Sequence, residues 1–566
     1  MPVRDLATTG DAAVAGAEFC IIGAGMAGLF IARRLAMAGH RVVVVESGKA
    51  GFDDETHELN RIVDVHGFYT RALNGRYRGL GGSSSRWGGR IIPLHEHDTQ
   101  PRDYLGLDGW PFGFAELEAY TKEIEDVFGL PHGPYGAPAL EQIHLDDVFN
   151  PDDPDFSGRL AKWISFRQCN LANVWGRQLN TLPGLDIWLD ATVRDFTLDS
   201  ARGRLVAVEA ANFNGNSLRV EAQHFIIAAG TIETTRLLLW LDAQSSNHAF
   251  AGTNALGRYF QDHLKSEVAT ISRADQALSN RLFGYHFVDG TRRSLHLDLT
   301  AAAQEEDGST SAFVYAAMDL SKSRLERIKT VARGLQSRQT KLGDLAGLVG
   351  EAPLVVRFAW WRYVRRQVFM PADAGLALQI AIEQRPNWDN FISLAGERDR
   401  LGIPKAEVHW QPSDDDEKTF RSTAARLENY WTRTGLDGQC PLTWVVGETS
   451  DSRRFVDHAE PYAHPSGSTR MGTDPATSIV GPELTCHAIP NLSVASASTF
   501  LTAGSANPTF TILKLALRLA DSLMGRKAMP VARLGEELVQ AGSTDIAAAI
   551  ATPIAAATRT TSSSPI

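Results

Sequence analysis

Cysteine is scarce in this 566-residue chain: Cys20, Cys169, Cys440 and Cys486 stand far apart, with no CxxC pair and no Cys/His cluster. That spacing argues against zinc or iron–sulfur ligation and against a disulfide framework. Cys20, inside an apolar run, reads as a small buried residue. No apolar run approaches the roughly 18 residues that a membrane span requires. The stretch MPVRDLATTGDAAVAGAEF lacks a charged segment followed by a long apolar core, so no secretory signal is expected and the cytoplasm is the default compartment. Positive charge is also in deficit. A net charge of -10 disfavours general nucleic-acid binding. What remains, 43% apolar and 22% charged residues, is ordinary for a globular protein of two or three domains or one large composite.

The first positive signal is AEFCIIGAGMAGLFIARRLAMAGHRVVVVESG, residues 17–48. The apolar FCII predicts a buried strand, followed by a glycine turn, a helix and a second buried strand, RVVVVE. Gly23 suits the tight turn, Gly25 lets backbone amides approach a pyrophosphate, and Gly28 lets the helix pack on the strand. The helix start offers unpaired N–H groups to phosphates. Glu46, at the tip of the second strand, is placed for a ribose diol, which disfavours a 2′-phosphorylated nucleotide. This unit alone leaves FAD and NAD open.

GLGGSSSRWGGR (residues 79–90) has five glycines and three serines around one tryptophan. It has too little side chain for an ordinary helix or strand. It could wrap backbone donors around a flat polar ligand, with Trp87 as an aromatic wall. Strand-like LDIWLDATVRDF and HFIIAAG reappear at 185–196 and 224–230, the latter leading into a helix, TIETTRLLLW. One nucleotide-binding domain assembled from separated segments is therefore expected. Near the C-terminus come HPSGSTRMG (464–472), a strand in NLSVAS, the turn-rich TAGSANPT, and a helix with Pro508 at its first turn. This succession could place His464 and Asn507 in one pocket.

In this order and spacing the motifs resemble the glucose–methanol–choline (GMC) oxidoreductases, from about residue 17 to 525. The carriers are GAGMAG…VVVVESG, GGSSSRWGG, AAGTIETTRLLL, NALGRYFQDHL, EQRPNWDNFISL, HPSGSTRMG and NLSVASASTFLTAGSANPTFTI. The resemblance implies an α/β plus α+β fold: a Rossmann-like FAD-binding domain from discontinuous segments (15–100, 185–270 and 456–528) and a substrate domain on an antiparallel sheet (101–184 and 271–455). It places catalysis on His464 and Asn507. It assigns FAD to Gly23, Gly25, Met26, Ala27, Gly28, Glu46 and Ser47, and to Gly82, Ser83, Trp87, Gly88 and Gly89 in the glycine–serine loop. Val193 would meet the adenine through its backbone; Ala229, Gly230, Ala497, Asn507, Pro508 and Thr509 complete the cofactor set. Two positions depart from the family: Ser496 stands where aspartate is common, and Ser85-Arg86 where covalent members carry the histidine that bonds FAD. Non-covalent FAD is therefore expected.

The implied chemistry is oxidation of an alcohol: His464 takes the hydroxyl proton while hydride passes to flavin N5, and Asn507 donates to the substrate oxygen. A sugar, glycoside or aminosugar hydroxyl comes first, because asparagine at the second position and WGGR followed by IIPL look like bacterial sugar-oxidising and pyranose-oxidase-like members. An FAD-containing lyase and an oxidase of aliphatic, aryl or steroid alcohols are the alternatives. An external electron acceptor (oxygen, quinone or a redox protein) is implied, and no metal: His95 and His97 in LHEHD have no third ligand in the pattern. Residues 322–366 carry 11 Lys/Arg against 3 Asp/Glu. They read as a solvated helical face with Trp360 and Trp361 partly packed; a docking patch for an anionic membrane, an acidic partner or a phosphorylated substrate is the competing reading. The Ala/Thr/Ser tail, 541–566, is expected to be disordered.

Overall fold

The computed structural model describes residues 2–9, 12–199, 201, 203–273, 275–319, 352–445 and 453–526. The tail at 541–566 and residues 322–351 of the basic segment lie outside the described residues.

Two large sheets organise the chain. The first runs Val3–Asp5, Leu185–Leu189, Val42–Val45, Ala12–Ile22, Ser217–Ile227, with Leu492–Val494 parallel to the end of the last. Its central neighbours are parallel, as consecutive apolar residues require when both faces are covered. All four residues of Val42–Val45 are buried. Arg204–Ala211 and Thr192–Asp199 continue it as an antiparallel ribbon on the other half of Ser217–Ile227. Helix Met26–Met37 links Ala12–Ile22 to Val42–Val45, and helix Thr509–Leu523 packs on it, tied by the Arg34–Asp521 ion pair at 2.6 Å. That helix brings Pro508 and Thr509 to the cavity lined by Gly23 and Gly25.

The second sheet is antiparallel, in the order Leu442–Trp444, Leu264–Ile271, Gly375–Ile382, Ala312–Asp319, Thr291–Leu299, Phe156–Trp163, Arg90–Ile91. Its strands come from several of the expected segments. Leu264–Ile271 and Arg90–Ile91 close the segments 185–270 and 15–100, yet both pair in the second sheet, as does Glu460–Pro461. The reason is ladder geometry: Leu264 lies opposite Ile382 and Arg90 opposite Trp163, pairings no local pattern announces. The crossing strands put residues of both sheets at one seam. A small sheet of Phe391–Arg398, Pro404–His409 and Val63–Asp64 flanks it.

The seam is fastened by a fully buried ion pair, with Arg102 Nη2 donating to Glu383 Oε1 at 2.8 Å. The same carboxylate oxygen accepts the Gly504 N–H at 2.9 Å. Glu383 thereby couples the second sheet to the turn before Asn507.

Candidate active site

A cavity opens where strand Ala12–Ile22 ends. Gly23, Gly25, Met26 and Ala27 line it, with Glu46 and Ser47 from the next strand end. Gly82, Ser83, Val193, Ala229 and Gly230 line it too, as do His464, Ala497, Pro508 and Thr509. Distant stretches of the chain thus converge on one space.

The chemistry of this lining fits a dinucleotide. Helix Met26–Met37 starts at Gly25 with no side-chain cap, so its first N–H groups are left for a ligand. A Cβ on Gly28 would lie 2.0 Å from the Gly23 carbonyl oxygen; this glycine holds helix against turn, behind the cavity wall. Gly23 has φ +107°, the left-handed region that glycine tolerates. Glu46 is busier than the sequence suggests. Its Oε1 accepts the N–H groups of Gly48 (2.8 Å) and Gly79 (2.9 Å), and its Oε2 that of Ala24 (2.7 Å). Oε2 retains a lone pair for a ribose hydroxyl. Ser47 Oγ accepts from Arg78 Nη1 at 2.9 Å.

Trp87, Gly88 and Gly89, like Gly28 and Asn507, are not among the residues lining this cavity. Trp87 donates its indole N–H to the Cys169 carbonyl at 3.0 Å and packs toward Phe128. Gly89 is glycine because a Cβ would sit 2.5 Å from Cys169 Sγ. This end of the loop serves packing between segments. Ser85 Oγ bonds the Gly82 carbonyl, and Arg86 stacks on Phe52 at 4.0 Å. Ser496 caps the turn Ala497–Thr499 by accepting the Ser498 N–H at 3.2 Å. His95 pairs with Asp298 at 2.8 Å, and His97 lies 3.2 Å from Gln304 Oε1.

His464 is positioned by a short ladder between distant segments. Gln261 and Ser466 exchange backbone bonds, Tyr462 N–H donates to the His263 carbonyl, and His464 N–H donates to Asp262 Oδ1 at 2.8 Å. Gly467 (φ +68°) permits this approach, since a Cβ there would meet the Tyr259 carbonyl oxygen at 2.0 Å. The flexible turn after His464 is therefore a close-approach device.

The side-chain bonds then fix the protons. His263 Nε2 donates to the Gly504 carbonyl at 2.7 Å, so its Nδ1 carries a lone pair. His464 Nδ1 lies 2.9 Å from that atom and must be the donor. His464 Nε2 is left unprotonated and accepts from Asn507 Nδ2 at 3.0 Å. Burial, then the nearby His263 and the Arg90 charge, hold His464 well below the ordinary histidine range. Burial lowers His263 to about 4. Burial raises Asp262, which also accepts from Tyr69 Oη, to about 7. The centre is a neutral imidazole with an aimed lone pair and an amide donor beside it. His263 and Asp262 were within reach of sequence reasoning, in the quoted NALGRYFQDHL, but nothing local tied them to His464, 201 positions away from His263.

Comparison with known proteins follows this geometry. A family profile described as GMC oxidoreductase matches residues 386–516, and one described as FAD dependent oxidoreductase matches residues 18–58. The chain is 28% identical to paromamine 6′-oxidase from Streptomyces fradiae, over 90% of this chain and 91% of that protein. It is 23% identical to 2-methyl-1,2-propanediol dehydrogenase from Mycolicibacterium austroafricanum, over 90% and 95%. Among solved structures, pyridoxine 4-oxidase from Mesorbium loti superposes with a TM-score of 0.57 at 16% identity, covering 90% of this chain and 99% of that one.

Proposed function

We propose that this chain, an FAD-dependent alcohol oxidoreductase similar to the GMC oxidoreductases, oxidises a hydroxyl of a sugar, glycoside or aminosugar to a carbonyl, with His464 as general base. The observation that carries this reading is the lone pair on His464 Nε2, paired with the Asn507 amide N–H at 3.0 Å. FAD, held without a covalent bond by the glycine turns, Glu46 and the residues around Pro508, would supply the acceptor for the carbinol hydride.

The protein's own groups handle the proton. A substrate hydroxyl entering between His464 and Asn507 replaces their mutual hydrogen bond. It gives its proton to Nε2, while Asn507 Nδ2 donates to the oxygen as negative charge develops there. His464 stays neutral beforehand because burial and Arg90 oppose its protonation. Its Nδ1–H remains bonded to His263 throughout, which keeps the ring oriented.

The aminosugar preference is supported by the likeness to paromamine 6′-oxidase; the likeness to a propanediol dehydrogenase supports the aliphatic alternative. A panel of sugars, aminosugars and simple alcohols, scored anaerobically by flavin bleaching, separates them. Bleaching by aminosugars ahead of diols is the expected result. Carbonyl release without bleaching would instead establish a lyase. Reoxidation by oxygen or by quinone then identifies the acceptor.

In the basic segment, Trp361 packs toward Phe369, whereas Val356, Trp360, Tyr363 and Val364 are exposed beside Arg357, Arg362, Arg365 and Arg366. Exposed aromatics among arginines fit weak docking on an anionic membrane surface. Co-sedimentation with anionic vesicles at low salt, lost at high salt and with neutral vesicles, is the expected outcome; no co-sedimentation at low salt rejects it. Among the described residues no helix is long and apolar enough to cross a membrane.

A further inference from the structure

We propose that Arg90 is a positioning residue of this active site: its guanidinium locks the Asn507 amide with Nδ2 turned toward His464, so that a donor rather than a carbonyl oxygen meets the substrate oxygen. The inference rests on the reading of His464 as base and Asn507 as donor.

A carboxamide has two ends of nearly equal size, and sterics alone do not choose between them. Arg90 Nε donates to Asn507 Oδ1 at 3.0 Å. Turning the amide over would set its NH2 against the Arg90 N–H and its oxygen against the lone pair of His464 Nε2. Both contacts are repulsive, so one orientation is enforced.

Arg90 is itself held at every nitrogen. Nη1 donates to His296 Nε2 at 3.2 Å and Nη2 to Tyr462 Oη at 2.7 Å. Tyr462 donates onward to Tyr315 Oη at 3.0 Å, and His296 is stacked on Phe313. Trp163, Phe313, Tyr315 and Tyr462 surround the guanidinium carbon at 5.3–5.8 Å. Among the described residues no carboxylate pairs with Arg90, so its charge is not neutralised locally. Lysine could replace the charge but not the fixed fork of donors. The position is also telling: Arg90 begins the short strand that leaves the glycine–serine loop for the second sheet, so the substrate-side sheet orients a residue of the cofactor-side turn.

The Arg90 charge is one cause of the low basicity of His464, behind burial and His263. His263, Asp262 and Tyr462 also face His464, and Glu383 stands behind Gly504; all remain when Arg90 is changed.

The test is anaerobic, alcohol-driven flavin reduction by FAD-loaded wild type, Arg90→Met, Arg90→Lys, Asn507→Ala and the double variant Arg90→Met/Asn507→Ala. Arg90→Met should slow reduction about 10- to 100-fold, on the scale of losing one oriented donor. With Asn507 already removed, Arg90→Met should add no more than about threefold, because coupled residues are not additive. Arg90→Met should also move the acid limb of kcat/KM to higher pH, since His464 loses a neighbouring cation. Arg90→Lys should keep that limb in place and still lose most of the rate. Equal slowing by Arg90→Met in both backgrounds, or an Arg90→Lys enzyme at wild-type speed, overturns the proposal. If Asn507→Ala alone reduces as fast as wild type, the donor assignment beneath it fails as well.

Discussion

His464→Ala is expected to retain bound FAD and to lose about 10²- to 10⁴-fold of its alcohol-driven flavin reduction, the range a positioned general base contributes. The imidazole bonds His263 and Asn507, so the loss should fall on chemistry rather than on cofactor content. Stopped-flow reduction under anaerobic conditions measures it directly. A variant that reduces at the wild-type rate would remove His464 from the mechanism. The pH dependence follows from the same contacts. Because burial, His263 and Arg90 hold the imidazole below its ordinary value of 6.5, the base remains neutral as pH falls through that value. The acid limb of kcat/KM should therefore lie below 6.5, with activity lost only as the lowered pKa is crossed from above. An acid limb above 6.5 would show that another group carries the proton.

Glu383→Ala should destabilise the protein by about 3–5 kcal/mol, the cost of stranding one partner of a buried ion pair. Both side chains are fully buried, and Arg102 Nε already has no hydrogen-bond partner, so removing the carboxylate strips the buried guanidinium of its ion-pair partner. The change also removes the acceptor for Gly504 N–H, whose carbonyl orients His263 and through it His464. Reduced thermal stability should therefore come with slower flavin reduction in the fraction that stays folded. Replacing both partners together, as Arg102→Met/Glu383→Leu, should recover most of the stability, because no buried charge is left uncompensated. It should not recover the rate, since the Gly504 turn still lacks its acceptor. A single Glu383→Ala variant as stable as wild type would contradict this account.

The sequence by itself determined the cofactor-binding half. FCII, the glycine turn and VVVV are local patterns whose meaning depends only on neighbours a few residues away, and they form the parallel strands and uncapped helix that those patterns imply. His464 and Asn507 stood out because each sits in a motif of its own. Only the tertiary structure decided what connects them. Trp87 looked like a ligand wall, yet it packs between segments, because the Cys169 carbonyl that accepts its N–H lies 82 positions away. Arg90 looked like the end of a glycine-rich loop, yet it reaches Asn507 across 417 positions. His263 passed as part of a motif, and the structure makes it the acceptor that fixes the His464 tautomer. Chain patterns report periodicity and backbone freedom, which are local properties. The direction of a proton or an amide is set by partners brought near only when both sheets meet at one seam.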